Sequence, residues 1–206
     1  MEYKTTVKKG YDAIAGEYLI KRAKKSSDVA LLDEFAEHLQ PNAKILDAGC
    51  GAGVPVAKIL SKNFDVTGVD FSEKQIELAK VTVPDATFIC RDMTELDFPS
   101  ASFDGICSFY SIIHIPREEH RVLLKNFHRM LKSEGFTLLC LGADNLLGDT
   151  HTFHGNQMYW SHFDAATYKT ILKEIGFCIL LSKIVPDETY NGEHLFVLAQ
   201  KGDTLK

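Results

Sequence analysis

The chain has 206 residues, of which 45% are hydrophobic and 25% charged, and its formal net charge is −5. A chain of that length and balance is expected to form one domain that buries its own core, with room for a small appended lid or cap, and disordered and collagen-like classes are excluded. The acidic balance argues against nucleic acid or an anionic membrane as partner, because both require clustered cations, and the one basic cluster, Lys21-Arg22-Ala23-Lys24-Lys25, reads as a solvated helix face. No apolar run approaches the roughly 20 residues that cross a bilayer. Met1-Glu2-Tyr3-Lys4 lacks the apolar core of a secretory signal, so a cytoplasmic protein is expected. Cys50, Cys90, Cys107, Cys140 and Cys178 are odd in number, widely spaced and mostly set in apolar runs. They read as small core residues of a reducing compartment, not as disulfides or a zinc site.

Residues 1–42 are expected to be mostly helical, with Leu32, Phe35 and Leu39 on one apolar stripe. From Lys44 onward, short apolar runs alternate with amphipathic stretches, as in repeated βα units on a parallel sheet. Seven strands are predicted, at 44–48, 65–70, 86–90, 103–108, 135–141, 177–185 and 194–200. Pro55 suits the first turn of a helix, and Ser72 with Gln75 forms a candidate capping box for a helix over 73–80. Leu123, Phe127, Met130 and Leu131 recur at helical spacing within 118–131; Tyr168, Ile171, Leu172 and Ile175 do so ahead of a stop at Gly176. Residues 143–163 show no clear period and are rich in His, Gly, Asn and aromatics, so they are expected to be a loop. A loop that long in a compact domain is usually functional, which makes it the candidate acceptor site of a single domain over 1–206.

Three features converge on a nucleotide-like ligand. Gly49, Gly51 and Gly53 follow the first strand in Ile45-Leu46-Asp47-Ala48-Gly49-Cys50-Gly51-Ala52-Gly53, and glycines at a strand-to-helix turn let a ligand approach the backbone. Val54 stands where the dinucleotide pattern G-x-G-x-x-G requires glycine. Asp70 ends the second strand, placed to accept both ribose hydroxyls or to sit beside a Ser72 cap. Asp92 follows the third strand, as a turn residue or as the acceptor for an exocyclic amine.

Together these residues resemble the class I S-adenosylmethionine (SAM)-dependent methyltransferases, from Tyr11-Asp12-Ala13-Ile14-Ala15 to near the C-terminus. Leu96-Asp97-Phe98-Pro99, Ser102-Phe103-Asp104-Gly105 and Leu131-Lys132-Ser133-Glu134-Gly135-Phe136 are similar to the small-molecule branch typified by ubiquinone and menaquinone biosynthesis. The resemblance implies a Rossmann-like three-layer αβα sandwich whose seven-stranded, mostly parallel sheet has an antiparallel last strand. It implies SAM as cofactor and S-adenosylhomocysteine as product. Asp47, Gly49, Cys50, Gly51 and Gly53 would then surround the methionine part, Asp70 with Ser72 the ribose, and Phe71 one adenine face. Asp92 and the Met93 amide would read the adenine edge with Arg91 a further cofactor contact, Ser108 and Phe109 would close the pocket, and Tyr11 and Tyr18 would fold over it.

A sulfonium methyl is already activated, so such a site needs mainly to align an acceptor and exclude water. His114, after the fourth strand, is the candidate base, with Tyr110 second; packing of the turn before Pro116 is the other reading of His114. Tyr159, Trp160 and His162 are candidates to line an acceptor pocket, Trp160 alternatively tethering the segment to the sheet. His151, His154 and His162, with Asp149 and Asp164, lack the i, i+4 pairing of a helical metal site, and no metal is expected. Absence of an Asn/Asp-Pro-Pro-Tyr/Phe sequence after the fourth strand disfavours base methylation in nucleic acid. A nicotinamide oxidoreductase fits less well than a methyltransferase, while a catalytically silent SAM-binding regulator stays open, as does the choice between monomer and homodimer.

Overall fold

The computed structural model describes residues 2–22, 27–186 and 192–202. The apolar runs become strands β1 (Lys44–Ala48), β2 (Asp65–Asp70), β3 (Thr87–Cys90), β4 (Phe103–Ser108) and β5 (Leu131–Gly142). A hairpin, β6 (Leu146–Phe153) and β7 (Asn156–His162), separates these from β8 (Phe177–Pro186) and β9 (Glu193–Lys201). Seven of the nine form one sheet in the order β3-β2-β1-β4-β5-β9-β8. Pairings β1–β2, β1–β4, β2–β3 and β4–β5 are parallel, whereas β9 runs antiparallel to both neighbours. The last strand is therefore antiparallel within a mostly parallel sheet, as the resemblance implied.

Helices cover both faces, which is why the central strands are apolar throughout instead of alternating. On one side α5 (Arg117–Met130) and α6 (Ala165–Ile175) bring Leu124, Phe127, Tyr168 and Leu172 against Leu46, Ile106 and Leu139. On the other, α2 (Ala30–Glu37), α3 (Val56–Leu60) and α4 (Glu73–Thr82) bring Leu32, Phe35, Leu60 and Ile76 against Ile45, Cys107 and Leu138. Gly176 ends α6 at φ 111°, in the left-handed conformation of a glycine C-cap. Ser72 caps α4 by accepting from the Gln75 amide at 3.1 Å. The reciprocal half of the capping box is missing, because the Gln75 side chain instead donates to the Tyr11 carbonyl at 3.4 Å.

The segment 143–163 is not a loop. Its β6–β7 hairpin turns tightly at His154 and Gly155, both at positive φ (49° and 75°), a geometry that splices antiparallel strands with little splay. No strand period marks it in the sequence, because β6 is exposed along most of its length and only β7 carries buried side chains, Met158 and Ser161. Helix α1 (Glu2–Arg22) packs on β7 and crosses the carboxyl ends of the sheet strands. All five cysteines are free thiols: Cys50, Cys107 and Cys140 are buried, Cys90 and Cys178 exposed. Among the described residues no helix is long and apolar enough to cross a membrane.

Candidate active site

Chain order reverses direction between β1 and β4, and an open α/β sheet offers its ligand crevice there, at the carboxyl ends. A pocket of about 970 Å³, open mouth included, fills that crevice. Its floor is the glycine turn. Gly49 and Gly51 adopt φ 79° and 52°, which side chains rarely tolerate, and a Cβ on Gly49 would lie 2.3 Å from the Ser111 Cβ. Gly51 has open space on the pocket side, the nearest atom being Gln75 Oε1 at 3.6 Å. Backbone can thus meet a ligand directly at this turn.

Two carboxylates stand behind it. Asp47 is 1% exposed, and its Oδ2 has no hydrogen-bond partner. Burial, reinforced by nearby Asp70, pushes its carboxyl up to about 8. Such a group is held ready for a ligand cation, since an unpaired buried acceptor is costly. Asp70 accepts from the Gly51 amide at 3.0 Å and the Ser72 amide at 2.9 Å. Burial raises it to about 6 against those two amides. Asp92, the third acid, accepts from the Thr94 amide and hydroxyl at 2.8 Å on Oδ1 and pairs with Lys4 at 2.7 Å on Oδ2.

On the far wall, His114 is buried and its tautomer is set by its partners. Nδ1 lies 2.7 Å from the Tyr159 carbonyl, which only accepts, so Nδ1 carries the proton. Nε2 then receives the Tyr11 hydroxyl hydrogen at 2.8 Å. Burial pulls the imidazole down to about 4, so it is neutral at physiological pH. Tyr110, at φ 53°, turns its ring under the Arg22 guanidinium, 4.5 Å away.

Of the residues singled out from sequence, Tyr11, Tyr18, Asp47, Gly49, Cys50, Gly51, Asp70, Phe71, Asp92, Met93, Phe109, Tyr110 and His114 line this pocket together. Others lie outside it. Gly53 faces Val83 and Phe88, where a Cβ would come within 3.0–3.2 Å. Ser72 is fully buried as a helix cap that also bonds Asp12, and exposed Arg91 contributes a backbone bond to Asp70. Ser108 bonds the Ala48 carbonyl at 2.8 Å, tying β4 to β1 behind the turn.

Tyr159, Trp160 and His162 do not line the pocket either. Tyr159 and Trp160 belong to a small apolar cluster in which Val7, Ile14 and Met158 join the hairpin to α1, and His162 bonds the Asp144 carbonyl. His114 is held between the Tyr159 carbonyl and the Trp160 ring. The other histidines of the hairpin have separate neighbours, His151 with Asp149 and His154 with Glu17, and among the described residues no group of three His, Cys, Asp or Glu side chains is arranged to hold a metal.

Helix α1 contributes more than sequence reasoning assigned. Tyr3, Lys4, Val7, Leu19 and Arg22 line the pocket beside Tyr11 and Tyr18. Positions 3, 7, 11, 18 and 22 fall on one face of a helix, a period that tyrosine and arginine disguise. Arg22 in particular is not on the solvated face expected of the basic cluster; it points inward and pairs with buried Asp28 at 2.9 Å.

A family model described as "Methyltransferase domain" matches residues 45–135, the stretch from β1 into β5. The chain is 36% identical over 104 residues to the 27-O-demethylrifamycin SV methyltransferase of Amycolatopsis mediterranei, covering 47% of this chain and 38% of that protein. It is 30% identical over 109 residues to a demethylmenaquinone methyltransferase of Staphylococcus aureus, covering 50% and 44%. The chain therefore spans less than half the length of these two relatives. In fold it is similar to the 1,6-didemethyltoxoflavin-N1-methyltransferase of Burkholderia thailandensis, solved with 1,6-didemethyltoxoflavin and S-adenosylhomocysteine, with a TM-score of 0.77 at 22% identity over 98% of this chain and 90% of the other.

Proposed function

We propose that this chain, whose residues 45–135 are a methyltransferase domain of the class I type, moves a methyl group from SAM to a small-molecule acceptor. The observation that carries the reading is the unpartnered Oδ2 of buried Asp47 beside a glycine turn whose Gly51 has open space toward the pocket. A buried acid so placed suits a ligand end bearing an ammonium, and Asp70 suits its ribose. SAM would supply an electrophilic methyl group. The protein's own part is to hold cofactor and acceptor in line and keep water out, which the α1 and hairpin lid supports.

Tyr110 and His114 are our candidates for the groups that orient the acceptor, His114 also as a weak base. A base held near 4 suits an amine or an acidic carbon, which need little help, better than an alcohol. A net charge of −5 favours a small molecule over nucleic acid. Five free thiols suit a reducing, cytoplasmic setting.

Calorimetric titration with SAM, S-adenosylhomocysteine and NAD tests the cofactor. Binding of the first two, weakened in Asp70→Ala by roughly 2–4 kcal/mol, is expected from loss of a charge-assisted ribose contact; binding of NAD alone would overturn the reading. Incubating cell extract with methyl-labelled SAM and identifying the labelled product by mass then separates an enzyme from a silent binder.

A further inference from the structure

We infer that Arg22 is the anchor for the carboxylate at the amino-acid end of the cofactor, an inference that rests on the SAM reading above. Helix α1 lies along the pocket like a ruler. Near its start Lys4 meets Asp92 beyond β3, at its middle Asp12 meets Ser72 beyond β2 and Tyr11 meets His114 beyond β4, and at its end Arg22 lies over Tyr110, also beyond β4. Lys4 and Arg22 are about 27 Å apart along the helix axis, at 1.5 Å per residue. The candidate contacts for the base, ribose and amino-acid ends run across the sheet in the same direction, from Asp92 after β3 through Asp70 on β2 to Asp47 with the glycine turn on β1, the neighbour of β4. Arg22 therefore stands at the amino-acid end.

Charge selects it as well. Among the described residues lining the pocket, the side-chain cations are Lys4 and Arg22. Lys4 is committed to Asp92, Thr94 and Glu95 at the base end. With Asp47 facing the ammonium, the carboxylate requires a donor of opposite charge, and a guanidinium offers five N–H groups in a fixed fork. One corner of that fork donates to Asp28 at 2.9 Å and its face rests on the Tyr110 ring at 4.5 Å, so it is oriented before a ligand arrives. Asp28 is 1% exposed, which holds the pair rigid. Arg22 is thus a binding residue, and Asp28 positions it.

The test compares two probes by calorimetry: S-adenosylhomocysteine, and 5′-methylthioadenosine, which keeps the adenosine and thioether but lacks the amino-acid end. Arg22→Met should weaken the first roughly 10- to 100-fold, the range of a charge-assisted hydrogen bond, and leave the second within about twofold. Because that variant strands buried Asp28, the double variant Arg22→Met/Asp28→Asn is measured in parallel and should give the same loss of preference. An unchanged preference for S-adenosylhomocysteine in both variants overturns the assignment and hands the guanidinium to the acceptor. Equal weakening of both probes also overturns it, as a merely structural role. Failure of the wild type to bind either probe overturns the SAM reading itself, an outcome distinct from the other two.

Discussion

The Tyr11 hydroxyl donates to Nε2 of His114 at 2.8 Å because the other ring nitrogen is already committed to the Tyr159 carbonyl at 2.7 Å. Three elements, α1, the turn after β4 and β7, are thus joined through one imidazole. The two side chains form one unit, so their deletions should not add. His114→Ala is expected to lower kcat by up to about 100-fold, the low end of the range of a general base, because a base held near 4 is weak. Tyr11→Phe should cost less, and the double variant no more than His114→Ala. Steady-state kinetics on the identified acceptor measure this; a His114→Ala enzyme with wild-type turnover would end the catalytic role.

Stability should vary with pH in a way that exposes Asp47. Its carboxyl sits at about 8 in the folded chain, and that of Asp70 at about 6, both above the ordinary 3.8. The folded state then holds protons that the unfolded state has released, so stability falls as pH rises through those windows. His114 and His120, each lowered to about 4 from 6.5, act oppositely, and their contribution is lost as pH falls below 6.5. Between pH 4 and 6 the two pairs largely cancel. Of these four groups Asp47 alone is still changing from 6.5 to 8, with a slope approaching ~1.4 kcal/mol per pH unit. Melting temperature should therefore drop over that interval in the wild type, stay level in Asp47→Asn, and drop less with S-adenosylhomocysteine present.

The seven sheet strands could be read in advance because each is a short apolar run between turn residues, and buried parallel strands need no alternation. The β6–β7 hairpin could not, because its turn is His154-Gly155 instead of Asn-Gly and because β6 faces solvent on both sides. Asp47 and Asp70 stood out because acids at the ends of apolar strands demand a reason. Arg22 did not, because its sequence neighbours Lys21, Lys24 and Lys25 suggest a wet face, whereas its inward direction is set by buried Asp28 and by Tyr110, which lie outside its helix. Side chains from distant segments, such as Tyr11 on His114, have no signal in local period at all.

Two glycines of the same turn should fail differently. At Gly49 a Cβ would collide with Ser111 at 2.3–2.4 Å on a backbone already at φ 79°, so Gly49→Ala is expected to lose several kcal/mol of stability. At Gly51 the strain is of order 1 kcal/mol, because φ is 52° but the space is open. Its methyl would instead occupy the pocket floor. Gly51→Ala should fold and melt near the wild type while losing most affinity for S-adenosylhomocysteine. Equal melting temperatures for the two variants would refute the distinction.

The grip of α1 on the pocket should be set at its first turns. Lys4 bonds Asp92 at 2.7 Å and Thr94 at 2.9 Å, Tyr3 donates to Glu119 at 3.1 Å, and Lys8 pairs with Glu73. Each contact is partly exposed, and such pairs are individually worth ~1 kcal/mol or less. Lys4→Met should then raise the dissociation rate of S-adenosylhomocysteine up to about fivefold, with little change in global stability. Hydrogen exchange should quicken in α1 and not in β1 or β4, because local opening of the lid leaves the sheet intact. Added salt should speed release from the wild type more than from Lys4→Met, since screening weakens the same pair. Stopped-flow release at two ionic strengths decides it; identical rates for both proteins would mean that the lid is held by its apolar contacts with Met158 and the hairpin alone.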